Sequence, residues 1–194
     1  MPVLAAALRL HDRAFAALDR AAGDWAPGLL ARCVFAAVLL VYFWNAAATK
    51  VEPGLLGFLS IRPAAYFQIL PPVVEAYGYD VSAIPFLPWG AIVRLGTYAE
   101  FVLPLLIVLG LATRLAALGM IVFVLVQSYV DIAFHGVDAA TIGAWFDRHA
   151  DSAILDQRAL WMVPLVYLVL KGAGAVSLDA LLGRRRAAPR GAVA

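Results

Sequence analysis

Apolar residues run almost without interruption along four stretches of this chain, and charges gather between them. Residues 29–48 carry only Arg32 and Asn45 before the polar Thr49-Lys50. Residues 95–111 form a second run that contains Glu100, and residues 115–130 a third. The connection Ala112-Thr113-Arg114 is so short that the second and third must form an antiparallel hairpin. A fourth run starts near residue 159. It covers the roughly 30 Å of a bilayer core only by continuing through Gly172-Ala173-Gly174 to residue 176, with Lys171, like Arg32 in the first run, snorkelling to the headgroups. Residues 3–22 have another rhythm. Leu4, Leu8, Phe15 and Leu18 recur at helical spacing opposite Arg9, Asp12, Arg13, Asp19 and Arg20, which predicts an amphipathic helix on the membrane surface, broken by Gly23 and Pro27. The same charges argue against a secretory signal, which needs an unbroken apolar core. Residues 51–90 hold Pro53, Pro63, Pro71, Pro72, Pro85 and Pro88. These interrupt every apolar run before it could span, and predict a cap of short helices anchored at the interface by Tyr66, Phe67, Phe86 and Trp89. The predicted fold is all-α, one membrane domain over residues 1–194. It is an integral membrane four-helix bundle with an N-terminal interfacial amphipathic helix, a Pro-rich outward cap and a basic cytoplasmic tail at 183–194.

Composition agrees. The 194 residues are 64% hydrophobic and 14% charged, against roughly 45–50% apolar and about 25% charged in soluble domains. This excludes both a conventional water-soluble enzyme and a disordered chain, which needs low hydrophobicity and high charge. The single Cys33 leaves no internal disulfide and no CxxC pair, so any electron carrier would have to be bound. A net charge of +2 does not imply nucleic acid, because the basic excess sits mainly in the two tails. One side of the predicted spans collects Arg9, Arg13, Arg20, Arg114, Arg184, Arg185, Arg186 and Arg190, the other Lys50, Arg62 and Arg148. By the positive-inside rule both termini are cytoplasmic, and the Pro-rich segment and the loop 131–158 face outward.

Glu100 is the sharpest chemical signal. It falls in the middle of its span, where an ionised carboxylate costs several kcal/mol unless paired. It is either a proton-accepting or ligand-binding group or a structural one hydrogen-bonded to Asn45, Gln127 or Thr97. Asn45, Thr49 and Lys50 occupy the outer part of the first span, Arg94 and Thr97 that of the second, and Gln127, Ser128 and Asp131 that of the third, while the inner half reads as almost wholly apolar. This predicts an outward-open cavity lined by Lys50, Arg94, Glu100 and Gln127, with Asn45 near it; anchoring of span ends at the interface is the plainer alternative. Arg94 and Glu100, six positions apart, face away from each other on a helix. Pro104 removes a backbone donor four residues after Glu100 and could leave a carbonyl free beside it. Asp131, His135 and Asp138 have the i, i+4, i+7 spacing of one helical face, and imidazole with carboxylates suits a divalent metal such as zinc. Gly136 weakens that helix, so a solvated loop stands beside the metal reading. Ser177 can N-cap a short terminal helix, with Asp179 near its positive end.

Three segments, in order, carry a family resemblance: Asn45-Ala-Ala-Ala-Thr-Lys50 closing the first span, Glu100 followed by the Gly110-Leu-Ala-Thr-Arg114 turn, and Gly172-Ala-Gly174-Ala-Val-Ser177-Leu-Asp179 near the end. Together, across residues 29–182, they resemble the DoxX family of small bacterial membrane proteins. The resemblance implies a compact four-helix fold in the bacterial cytoplasmic membrane. Some relatives accompany thiosulfate:quinone oxidoreductase or other redox complexes as small membrane subunits, so it implies a quinone-linked or otherwise redox-related accessory role beside another membrane or outward-facing protein encoded nearby. The Pro-rich segment is longer than in a minimal member. Two functional readings follow: a subunit or small-molecule site in a quinone-linked system, with Glu100 central and Lys50 and Arg94 attracting an anion or quinone oxygen; or a non-enzymatic partner in metal handling, export or assembly that uses the Asp/His loop and the cap. Solute transport is weaker, since four spans without an inverted repeat form a small frame unless the chain is a homo-oligomer.

Overall fold

The structure, a computed structural model, describes residues 2–23, 25–54 and 56–187, except the side chains of residues 2, 3 and 184–187. Among the described residues it is all-helical, with one isolated antiparallel bridge between Val51 and Ile61. Helix α1 (Pro2–Ala22) is the amphipathic helix of the sequence pattern. Leu4, Leu8, Phe15 and Leu18 are each more than half exposed, an apolar face left uncovered by protein. After Gly23 the chain enters α2 (Ala26–Ala48), with a proline in its first turn, where the missing N–H costs nothing. A π-helical turn at Ala36–Leu40 widens its middle. Phe35, Leu39, Phe43 and Ala47 line up four residues apart on its buried face.

The Pro-rich cap follows. Its helices α3 (Pro63–Ile69) and α4 (Pro71–Ala76) are short and both begin on proline. Helix α5 (Ala91–Leu109) ends at Gly110, whose φ of 69° is the left-handed conformation that terminates helices. The tight turn leads into α6 (Thr113–Ala133), the expected antiparallel hairpin. Beyond it come α7 (Ala139–Ile142), α8 (Leu155–Lys171) and α9 (Leu178–Ala187). Helix α6 packs against α5 and α8, α8 against α2, and α2 against α5. Their shared core is Phe35, Leu39 and Phe43 of α2, Ile107 of α5, Ala116, Ala117, Met120 and Val124 of α6, and Leu165 and Leu168 of α8. Among the described residues three helices are long and apolar enough to cross a membrane: α2, α5 with the turn before it (Phe86–Leu109), and α6. Lipid is as apolar as leucine, so van der Waals packing and internal polar contacts hold such helices together. Small residues let them approach: Gly119 sits where an added Cβ would lie 3.2 Å from Leu103 Cδ2.

Three expectations need correcting. The fourth apolar run does not continue through residue 176. Helix α8 stops at Lys171, because Gly172 (φ 80°) and Gly174 (φ 78°) turn the backbone out of the helix. That turn lies against Gly28, where an added Cβ would lie 2.7 Å from the Ala173 carbonyl. The helix instead begins earlier, at Leu155, and takes in Arg158, which the pattern had assigned to a polar loop. Second, Arg32 does not snorkel. It is 8% exposed and donates from Nε to Ile107 O (3.1 Å), from Nη2 to Val108 O (2.6 Å) and from Nη1 to Val176 O. Carbonyls at a helix C-terminus have spare acceptor capacity and carry the negative end of the dipole, so an internal guanidinium is better satisfied there than at the headgroups. Third, the half of the helices expected to be almost wholly apolar carries a polar knot of Arg32, Thr113, Ser177 and Asp179. The basic tail at 183–194 begins as the last turn of α9; residues 188–194 lie outside the described residues.

Candidate functional site

At the other end of the helices, a cavity of about 550 Å³ lies between α5 and α6 under the cap. Its walls are mostly apolar, with Leu95, Leu103, Val122 and Val126 among them, and the polar groups reaching it include Lys50, Glu100, Gln127 and Asp131. Leu95, Val122 and Val126 are also more than half exposed, so the cavity opens sideways between the two helices. Lys50 and Glu100 form its floor. Glu100 projects from mid-α5, and Lys50 follows the end of α2, so its side chain reaches back along the helix axis. Their side chains are each 6% exposed, and Nζ lies 2.8 Å from Oε2 and 3.0 Å from Oε1. The third ammonium proton goes to Ala46 O at 3.0 Å, so all three Lys50 donors are satisfied. The resemblance segments supply this pair: one contributes the lysine, another the glutamate.

The remaining expected residues divide. Gln127 lines the cavity, donates to the Tyr42 hydroxyl at 3.2 Å and keeps a buried Oε1 without a partner. Arg94 does not join them: it is exposed and lies over the Phe86 ring, 5.4 Å from its centroid. Asn45 is exposed on α2 and outside the cavity lining. Thr97 bonds its own helix at Val93 O. Trp44 Nε1 donates to Phe101 O at 3.2 Å, three residues before Pro104, through which α5 continues unbroken.

The metal triad does not assemble. Asp131 accepts from Arg158 Nη2 at 2.6 Å, His135 Nε2 lies 3.1 Å from Gln68 O, and Asp138 caps α7 through Thr141 N. Among the described residues no three His, Cys, Asp or Glu side chains gather to hold a metal ion. Each carboxylate finds a nearer donor than a cation shared with its neighbours. The pair the sequence pattern missed is Asp131–Arg158. Arg158 is 8% exposed, donates also to Ser128 Oγ at 2.9 Å, and joins α8 to α6 beside the cavity. A basic residue 27 positions from an acid of the same polar stretch gives no local cue. Only its place two residues before Leu160-Trp161-Met162 hinted that it was helical.

The polar knot at the opposite end joins the Gly110–Arg114 turn of the second resemblance segment to the third, which carries Ser177 and Asp179. Asp179 accepts from Ala112 N (2.7 Å), Thr113 N (2.9 Å) and Thr113 Oγ1 (2.7 Å), and its own N–H donates to Gly110 O (2.8 Å). It therefore caps α6 rather than its own helix, whose N-cap is Ser177 through Ala180 N. Burial pushes the Asp179 carboxyl up, but the donors from Thr113 and Ala112 outweigh it and hold the group below the usual carboxylate range.

Comparison with family models, curated proteins and solved structures gives no match.

Proposed function

We propose that the chain is a DoxX-like, multi-pass protein of the bacterial cytoplasmic membrane that binds a neutral, membrane-soluble molecule with a carbonyl-bearing head, of the quinone class, as an accessory component of a redox-related membrane system. In this reading α8 completes a four-helix bundle with both termini cytoplasmic. The observation that carries it is the buried Lys50–Glu100 pair at the floor of a largely apolar, sideways-opening cavity. Its 550 Å³ lies within the range of about 300–1,000 Å³ usual for small-molecule sites.

Charge decides the ligand class. Lys50 is neutralised by Glu100, Asp131 by Arg158, and Arg94 lies elsewhere. An anion would meet no uncompensated cation and would itself need desolvation in a low-dielectric site. A neutral head with hydrogen-bonding oxygens needs neither, and an apolar tail suits the walls. Lys50 would donate to the head by releasing one of its three present bonds, to Glu100 or to Ala46 O, and Glu100 would orient Lys50 or hold a proton. The metal-handling reading receives no support from a triad that does not assemble.

The test is titration of detergent-solubilised protein with a short-tailed benzoquinone, read by quenching of tryptophan fluorescence. Saturable binding is expected, weakened at least about tenfold, or about 1.4 kcal/mol, in the cavity-filling variant Ala99→Trp, which leaves the ion pair in place. Equal affinity in both proteins would refute the site.

A further inference from the structure

A second cavity, of about 760 Å³, lies at the Arg32 end of the helices, where α1 meets α2, the start of α6 and the end of α8. Its lining includes Pro27, Arg114, Leu115, Tyr167, Lys171 and Asp179. We propose that it binds the headgroup of an anionic phospholipid, with Arg114 and Lys171 as the phosphate-binding cations.

Two independent observations converge here. The first is charge. The carboxylate of Asp179 is occupied by the N-terminus of α6, and neither Arg114 nor Lys171 has an acidic partner within ion-pair distance among the described residues. Among the described residues the wall therefore presents two cations against one carboxylate that is already engaged, which matches a phosphodiester. Gly172 brings the turn after α8 up to the Arg114 side chain: an added Cβ would lie 3.5 Å from Arg114 Nε, in ordinary contact.

The second is depth. Helix α1 presents Leu4, Leu8, Phe15 and Leu18 uncovered by protein, which fixes the lipid interface beside its length, and Gly23, just past its end, belongs to this same cavity. The cavity thus lies at headgroup level, with Pro27 and Leu115 offering apolar surface where acyl chains would begin. Basic pockets between membrane helices suit such headgroups. Free inorganic phosphate shares the anionic chemistry but not the apolar contacts.

Native mass spectrometry of the full chain, released from nanodiscs with equal phosphatidylglycerol and phosphatidylcholine, tests this. Wild type should retain one phosphatidylglycerol in preference to phosphatidylcholine. Arg114→Gln with Lys171→Gln should lower that preference by about fivefold per cation removed. The charge-conserving Arg114→Lys with Lys171→Arg should keep it and guards against loss through misfolding. Arg9→Gln with Arg13→Gln, which removes equal charge from α1, should leave it intact. An unchanged preference in the Gln pair, or an equal drop in the α1 control, would overturn the site. In phosphatidylcholine-only nanodiscs, inorganic phosphate should not raise the melting temperature. A rise that disappears in the Gln pair would overturn the lipid assignment in favour of a free anion.

Discussion

Removing either member of the Lys50–Glu100 pair leaves a buried charge alone, a loss of about 3–5 kcal/mol, whereas replacing both by neutral groups of similar shape is often nearly neutral. Lys50→Met and Glu100→Gln should each lower the thermal transition in detergent, and the double variant should recover most of the loss. Additive losses would show that the pair does not act as a unit. Asp179 sets a pH dependence of known sign. Its carboxyl is held below the usual range in the folded chain, so its contribution is present above the unfolded value near 3.9 and fades as pH falls through the lower, folded value. Asp179→Asn should therefore be less stable at neutral pH, by about 1 kcal/mol as for other lost caps. Its melting temperature should also change less than that of wild type on acidification below about pH 4. Glu100 was legible in the sequence because an acid in an apolar run has no cheap explanation. Lys50 was legible as a neighbour in the same cavity but not as its ion-pair partner, because it follows the end of another helix and also reads as a span terminator. Arg32 was misread for a related reason: the carbonyls that hold it belong to α5 and to the segment after α8, and no spacing within α2 reports them.

At the level of elements, the α5–α6 hairpin was legible from its short connection, and the clasp around it was not. Gly110 needs its left-handed backbone and also has no room: a Cβ would lie 2.6 Å from Ser177 Cβ and 2.9 Å from Arg32 Cζ. Gly110→Ala should lower stability by more than the roughly 1–2 kcal/mol of left-handed strain, because overpacking adds to it. If the loss in a denaturation series is no larger than that strain, the clasp does not restrain the turn. Helix α8 was placed correctly in its middle and wrongly at both ends. Apolar content cannot tell a glycine pair that continues a span from one that leaves it; packing against Gly28 decides that. At the other end, Arg158 reads as loop until Asp131 is seen beside it. The Pro-rich cap was recognised as short helices because proline both starts and stops them, but its role as roof of a cavity depends on how it folds back over α5 and α6.

For the whole molecule, the proposed bundle makes a topological prediction. In a Cys33→Ser background, Ser82→Cys and Ala150→Cys should react with an impermeant maleimide in intact spheroplasts, and Ala175→Cys only after permeabilisation. Ala175→Cys and Ala150→Cys reacting together would mean that α8 does not cross. The two ends of the molecule then have separate chemistry: a charge-balanced cavity under the cap, and a cationic one beside the clasp. Both are assembled from residues far apart in the chain, which is why composition announced a membrane protein but not its sites. The lateral opening between α5 and α6, walled by exposed Leu95, Val122 and Val126, also determines how the first cavity fills. An occupant that arrives through such a portal comes from within the bilayer, so the relevant concentration is its mole fraction in lipid. Diluting loaded proteoliposomes with empty vesicle lipid by fusion should empty the site, whereas diluting the suspension with buffer should not.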